Sequence, residues 1–188
     1  MLALQGDFLE HQRVLAKLSV EAQPVRLAEH LIDLDGLIIP GGESTTMGKL
    51  AVDFELMEPL RAFAQAKPVW GTCAGSIFLS KDARREQPLL GVMDIQVARN
   101  AFGRQVNSFE TDIIFPVLAQ FSNKNPPFHT VFIRAPLIEK VEKNAEAIGW
   151  LPDGVIVAAR QGHLLATSFH PELTTDDRFH RYFLEMIQ

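Results

Sequence analysis

Cysteine is almost absent from this sequence of 188 residues, which contains only Cys73. A single cysteine cannot form an internal disulfide, so the cysteine content does not indicate an oxidising compartment. No apolar stretch approaches the ~20 residues that a membrane-spanning helix needs. The N-terminal segment MLALQGDFLEHQ also lacks the basic region that begins a signal peptide. We therefore expect a cytoplasmic protein that does not enter the membrane.

Runs of lysine and arginine are also missing, and the formal net charge is -5. Nucleic-acid-binding domains are usually basic, so we expect no nucleic-acid partner. The sequence contains neither a metal-ligand cluster nor a dinucleotide-binding fingerprint, and we expect no metal and no cofactor on this chain. The length and the even composition favour a single domain over residues 1–188.

Short apolar runs alternate with helical patterns in the first half of the chain. This alternation favours an α/β fold with a mostly parallel, flavodoxin-like sheet and helices on both faces. After residue 90 the apolar runs are joined by turns, which indicates some antiparallel strands in the C-terminal half. The predicted strands are residues 2–5, 34–40, 67–72, 91–98, 108–115, 129–135 and a hairpin over 154–170. The predicted helices are residues 8–18, 53–66, the segment after Cys73 through Ala83, and 176–187.

The lone cysteine follows a predicted strand, within the segment GTCAG (71–75). G-x-C-x-G has the form of a nucleophile elbow, a tight strand-to-helix turn that projects its middle side chain outward. A free thiol is only ~3% ionised at pH 7, and a helix N-terminus supplies only part of the ~3.4 kcal/mol needed to lower its pKa to about 6. A nearby base, usually histidine, must supply the remainder. The alternative is that Cys73 is a small, buried and inert side chain.

His170 is the strongest candidate for that base among six histidines, because HPE directly follows a predicted strand. Proline disfavours the helical region for the preceding residue, so His170 should be extended. If the chain stays extended, the side chains of His170 and Glu172 project to the same side, and the carboxylate can orient the imidazole. The alternative is a proline turn followed by an incidental glutamate. His11, His30 and His180 lie in or beside helical patterns, where we expect surface or packing roles.

A glycine-rich turn, PGGES (40–44), follows another predicted strand. Ligands of open α/β sheets bind beyond the carboxyl ends of the strands, and both PGGES and GTCAG lie at such ends. A turn of this kind can hold phosphate, but the Lys-Ser/Thr pair of a P-loop is missing. The other interpretation is that its backbone N–H groups bind a developing oxyanion.

Five segments carry a family resemblance: PGGESTTMGKL, GTCAG, RNAFGRQ, FIRAP and FHPE, in this order. Together they resemble the class I, triad-type glutamine amidotransferases, and within that class the glutaminase subunits of pyridoxal 5'-phosphate synthases. The resemblance implies hydrolysis of L-glutamine to L-glutamate and ammonia, with Cys73 as nucleophile, His170 as base and Glu172 as the orienting acid. It also implies an oxyanion hole formed by the N–H groups of Gly42 and Ala74. The glutamine-binding residues that it implies are Gly42, Glu43, Ser44, Arg99, Ile133 and Arg134.

The resemblance further implies a partner, a (β/α)₈-barrel synthase subunit that uses the ammonia to build pyridoxal 5'-phosphate (vitamin B6) within a hetero-oligomer. Direct transfer has a chemical reason, because ammonia in neutral water is mostly protonated and then no longer nucleophilic. Two alternatives stay open. The chain could be the glutaminase subunit of another amidotransferase, such as the histidine-biosynthesis enzyme, or an α/β cysteine protein acting as a stress sensor or interaction module.

Overall fold

The computed structural model describes residues 1–99 and 108–187. The strands are β1 Leu37–Ile39, β2 Val69–Thr72, β3 Ser80–Asp82, β4 Met93–Ala98, β5 Ser108–Ile113, β6 Phe128–Ile133, β7 Leu137–Val141, β8 Glu146–Trp150, β9 Ile156–Gln161 and β10 Leu164–Thr167. The α-helices are α1 Phe8–Lys17, α2 Ser44–Asp53, α3 Met57–Ala66, α4 Ala74–Leu79 and α5 Arg178–Glu185. Short 3₁₀ turns cover Ala28–Leu31, Pro116–Phe121 and Pro171–Leu173. Across the described ranges, no helix is long and apolar enough to cross a membrane.

One sheet contains eight of these strands, in the order β1-β2-β10-β9-β7-β4-β3, with β8 paired to β9. The pairs β1–β2, β2–β10 and β3–β4 are parallel, and the pairs made by β7, β8 and β9 are antiparallel. A separate antiparallel pair is formed by β5 and β6. The α/β class is confirmed, with antiparallel strands in the C-terminal half as predicted and in a larger share than the sequence indicates.

The sheet separates two apolar cores because successive side chains of a strand point to opposite faces. Leu37 and Ile39 of β1 pack on one face, in the core that also contains residues of α2, α3 and α4. Ile38 of β1 and Trp70 of β2 pack on the other face, with residues of α1 and α5. Helices therefore cover both faces of the sheet, as the sequence predicts.

Some elements differ from the sequence prediction. Residues 2–5 contribute an isolated parallel bridge between Leu2 and Val25 instead of a strand. Helix α4 ends at Leu79, and β3 occupies residues that the sequence assigns to a helix through Ala83. The helix predicted over 53–66 begins only at Met57. Helix α2 and strands β7 and β8 are also not predicted by the sequence patterns.

Neighbouring parallel strands determine where the functional site lies. In the register of β2 and β10, Thr72 stands beside Thr167, the last residue of each strand. The two segments that leave the sheet after these residues therefore run side by side. One of them begins with Cys73 and the other contains His170, although 97 residues separate these two positions in the chain.

Candidate active site

Cys73 occupies the tight turn between β2 and α4. Its backbone has φ 47° and ψ -108°, a conformation that residues with a side chain rarely adopt. The turn is held by the Cys73 N–H, which donates to the carbonyl of Thr167 over 2.8 Å. A Cβ atom on Gly75 would lie 2.1 Å from the carbonyl oxygen of Ile39. The small residues around the cysteine thus have a steric cause, because the turn presses against strand β1.

His170 and Glu172 follow β10. The Nδ1 atom of His170 lies 2.7 Å from Oε1 of Glu172, and both side chains are buried. The imidazole and the thiol of Cys73 line the same cleft, and their interaction raises the pKa of His170. The chain is not extended to Glu172 as the sequence suggests, since Pro171–Leu173 form a 3₁₀ turn. This turn, and not strand alternation, brings the carboxylate to the imidazole.

Electrostatic coupling within this group is strong. Burial alone would lower the pKa of His170, but its contacts with Cys73 and Glu172 raise the pKa to about 10. Burial alone would raise the pKa of Glu172, but the imidazoles of His11 and His170 hold that pKa far below its usual range. At neutral pH the imidazole of His170 is therefore protonated and the carboxylate behind it is ionised.

A cleft of about 380 Å³ opens in front of the cysteine and the histidine. It is lined by Gln5, Asp7, Gly42, Glu43, Ser44, Cys73, Ala74, Ile77, Arg99, Ile133, Arg134, Pro136 and His170. Every site residue expected from the sequence lies in this lining except Glu172, which stands behind His170. A second cleft of about 360 Å³, beside Met1 and Phe183, has no cysteine or histidine in its lining. Chemistry that needs a nucleophile and a base therefore belongs to the first cleft.

The PGGES turn forms the wall opposite the thiol. A Cβ atom on Gly41 would lie 2.4 Å from Cε1 of His170, so only glycine lets this turn approach the imidazole. The turn is held at the N–H of Glu43, which donates to Oε1 of Gln5 over 2.7 Å. Across the cleft, Ala74 is the first residue of α4, and the N–H of a first helical residue has no acceptor within its own helix.

Glu43 has a structural task besides lining the cleft. Its carboxylate caps α2 by accepting the N–H groups of Thr45 and Thr46, and Arg99 contacts the same carboxylate at 2.8 Å. Burial opposes ionisation, but these hydrogen bonds and Arg99 together outweigh it and lower the pKa of Glu43 to about 2. Of the RNAFGRQ segment, only Arg99 lies within the described residues, and positions 100–105 lie outside them.

Several residues near the triad are not among the sequence predictions. Asp7 lies 3.7 Å from Nδ1 of His170 and is half-exposed. His11 and His180 are fully buried behind Glu172, and their imidazoles contact each other at 3.0 Å. Both side chains pack against Trp70 in the interior, which agrees with the expected packing role, but each also makes polar contacts there that the sequence does not indicate. The helical pattern indicates that His11 faces inward but carries no signal for the carboxylate that it meets.

Asp7, His170 and Glu172 also form a possible metal-binding group, since one ligand atom from each lies within 4.8 Å of the others. Nδ1 of His170, however, already hydrogen bonds Oε1 of Glu172 at 2.7 Å. A cation there would compete with the imidazolium for the carboxylate. The geometry fits a hydrogen-bonded acid and base better than a metal centre.

Comparison with known proteins agrees with this geometry. A model of the SNO glutamine amidotransferase family matches residues 1–188. The chain is 57% identical to the pyridoxal 5'-phosphate synthase subunit PdxT of Herpetosiphon aurantiacus, covering 98% of this chain and 97% of the relative. It is 53% identical to the PdxT of Moorella thermoacetica, covering 100% of this chain and 97% of the relative. A crystal structure of a glutamine amidotransferase superimposes with a TM-score of 0.91 at 48% identity, covering 99% of this chain and 96% of that one. This chain belongs to the SNO glutamine amidotransferase family.

Proposed function

We propose that this chain is a glutaminase subunit. It hydrolyses L-glutamine to L-glutamate and ammonia, and it passes the ammonia to a synthase that makes pyridoxal 5'-phosphate. The observation that carries the proposal is the alignment of a thiol, an imidazole and a carboxylate at the ends of the adjacent strands β2 and β10. Residues 1–188 act as one glutaminase domain in this proposal.

The reaction assigns one role to each member of the triad. The sulfur of Cys73 attacks the side-chain amide carbon of glutamine, and the proton on His170 passes to the amide nitrogen, which leaves as ammonia. A water molecule then attacks the resulting thioester, giving one proton to His170, and glutamate leaves as the sulfur is released. Glu172 orients the imidazole and balances its positive charge throughout, as the acid of a triad does.

The remaining cleft residues bind the substrate and the developing charge. The N–H groups of Gly42 and Ala74 are the proposed oxyanion hole, in which one donor typically contributes about 2.7–4 kcal/mol to catalysis. Glutamine lies along the cleft against Glu43, Ser44, Arg99, Ile133 and Arg134. The two guanidinium groups suit its α-carboxylate, and the carboxylate of Glu43 suits its α-ammonium group.

The proposed partner is a synthase subunit with a (β/α)₈ barrel. The names of the relatives, which are subunits of pyridoxal 5'-phosphate synthase, support a synthase partner, and the barrel fold of that partner is proposed from the family resemblance. Those names also disfavour a glutaminase of histidine biosynthesis, and membership of an amidotransferase family disfavours a stress sensor. We expect weak glutaminase activity from the isolated chain and higher activity once the synthase has docked.

Paired assays with the synthase from the same organism test the proposal. Wild type should support pyridoxal 5'-phosphate formation from glutamine, whereas Cys73→Ser should support it only when ammonia is supplied. A glutamine-analogue electrophile should label Cys73, and the label should be lost in His170→Ala. A synthase that accepts ammonia but gains nothing from glutamine and this chain would refute the proposal. Equal glutamine turnover with and without the synthase would refute the activation by docking.

A further inference from the structure

A pair of buried histidines lies directly behind the triad, on elements that have no part in the mechanism described so far. Nε2 of His11, in α1, lies 3.2 Å from Oε2 of Glu172, the carboxylate oxygen that faces away from His170. Nδ1 of His11 lies 3.0 Å from Nε2 of His180, in α5. The side chains of His11 and Glu172 are completely shielded from solvent.

Oε2 of Glu172 is a buried charged atom with little support. Within the described part of the chain it has no well-aligned hydrogen bond, and its polar contact is the one with Nε2 of His11. The same nitrogen hydrogen bonds with Oγ1 of Thr72 at 3.2 Å, and Oε2 of Glu172 is a second, less well aligned oxygen at the same distance. A buried carboxylate oxygen without any donor would be costly, which gives the His11 contact more weight than a surface contact of equal length.

Chemistry determines which way these hydrogen bonds run. The arrangement that leaves every N–H group with an acceptor has His180 donating from Nε2 to Nδ1 of His11, and His11 carrying its proton on Nε2, which faces Thr72 and Glu172. In this arrangement the orphan is Nδ1 of His180, a bare acceptor that has no partner among the described residues. Burial also lowers the pKa of His180 to about 3, so that imidazole stays neutral. Both rings then direct a donor towards the carboxylate.

We propose that His11 is a positioning residue of the triad, and that it holds the rear oxygen of Glu172 while His180 holds His11. The inference rests on the proposed glutaminase function and extends it by two residues that touch neither glutamine nor ammonia. Helices α1 and α5 thereby set the orientation of the acid, because each supplies one imidazole of the relay, the chain of contacts from His180 through His11 to Glu172. The ring of Trp70 packs against that of His11 at an interplanar angle of 79°, with 5.7 Å between the ring centres.

The matched substitutions are His11→Phe and His11→Gln. Phenylalanine fills the space beside Trp70 but removes both nitrogens, whereas the amide nitrogen of glutamine can reach the position of Nε2. In the complex with the synthase, His11→Phe should lower kcat about tenfold with KM nearly unchanged, because His11 does not line the cleft. His11→Gln should recover most of the loss. His180→Phe should cause a smaller loss, since it removes the support of His11 and not the contact with Glu172.

The pH profile separates positioning from packing. The titratable groups facing His11 are Glu172 and His170 after β10, His180 in α5, and Asp7 at the start of its own helix. Without the His11 donor, less stabilisation offsets the cost of burying the Glu172 charge. The pKa of Glu172 therefore rises, and its carboxyl group loses its proton at a higher pH. The acidic limb of kcat/KM should therefore move up by about one pH unit in His11→Phe. The rate at which iodoacetamide alkylates Cys73 should show the same shift without any glutamine turnover.

His163→Gln is the matched control, because Nε2 of His163 contacts the Ala64 carbonyl and lies before β10, at the far end of the strand. It should leave kcat and the pH profile unchanged. A folded His11→Phe enzyme with wild-type kcat and an unshifted profile would overturn the inference. A loss of kcat in His11→Phe that does not depend on pH and is not recovered in His11→Gln would also overturn it. If His11→Phe does not fold, the pH profiles of kcat/KM and of Cys73 alkylation in His11→Gln and His180→Phe test the inference. A wild-type complex inactive on glutamine would refute the proposed function instead, and the alkylation profiles would still test the relay.

Discussion

Two carboxylates lie near the same imidazole nitrogen, and exchanging each for its amide identifies the acid of the triad. Oε1 of Glu172 is 2.7 Å from Nδ1 of His170, and Oδ2 of Asp7 is 3.7 Å from it. The Glu172 side chain is fully buried, whereas that of Asp7 is 47% exposed. These distances and exposures support Glu172 as the proposed acid, and Glu172→Gln with Asp7→Asn as its matched control tests this role.

The expected magnitudes follow from burial and distance. Replacing a charge-assisted hydrogen bond by a neutral one in a buried site costs about 1–2 kcal/mol. Since ~1.36 kcal/mol corresponds to a tenfold change in rate, kcat of Glu172→Gln should fall ~5- to 30-fold. A half-exposed ion pair at the longer distance contributes at most about 1 kcal/mol, so Asp7→Asn should lose less than ~5-fold.

The assay measures glutamate release by the synthase complex over a range of glutamine concentrations. KM should change little in Glu172→Gln, because Glu172 lies behind His170 and does not line the cleft. Nuclear magnetic resonance of the His170 imidazole should show its pKa falling from about 10, because the buried negative charge has been removed. A larger loss of kcat in Asp7→Asn than in Glu172→Gln would show that the acid has been assigned to the wrong side chain.

Three further predictions concern the frame around the site. Gly75→Ala should lower the thermal midpoint by several degrees and reduce Cys73 alkylation, because the new Cβ would lie 2.1 Å from a β1 carbonyl oxygen. Glu43→Gln should lower the unfolding free energy by about 1 kcal/mol through weaker capping of α2. Because capping lowers the pKa of Glu43 to about 2, this difference in stability from wild type should be complete above pH ~4.5 and should disappear as the pH falls towards 2. Hydrogen bonds to Asp112 and Glu110 raise the pKa of His129, so the protonated imidazole stabilises the β5–β6 pair below pH ~6.5 and this stabilisation is lost above the raised pKa. Above that pKa, amide exchange in β5 and β6 should speed up relative to exchange in His129→Gln.

The fold could be predicted where a strand is short, continuous and apolar and ends at a glycine turn. Strands β1 and β2 have this form, and β10 is a short apolar run that begins after the Gln161-Gly162 turn. The pattern fails for β7, whose LIEKV sequence places two charged residues next to each other, and for α2, which begins with three hydroxyl residues that resemble a loop. Such elements are stabilised by their neighbours in the fold, and local periodicity does not record those neighbours.

The triad could be predicted from turns, but its inner support could not. Cys73 and His170 follow strands whose ends carry small or restrictive residues, so their positions have local signals. The contact of His170 with Glu172 is also predicted from the sequence, although the backbone between them forms a 3₁₀ turn and is not extended. His11 meets His180 across 169 positions of sequence, and no local pattern reports a contact over such a separation.

The insertion of β10 between β2 and β9 has a consequence for the synthesis of this polypeptide on the ribosome. The ribosome completes the thiol of Cys73 long before the segment that carries the imidazole, and at ~5–20 residues per second the interval lasts ~5–20 s. During that interval the nascent chain carries a cysteine without its proposed base, so the proposed glutamine hydrolysis cannot begin. Translation order thus delays the chemistry until nearly the entire polypeptide has emerged.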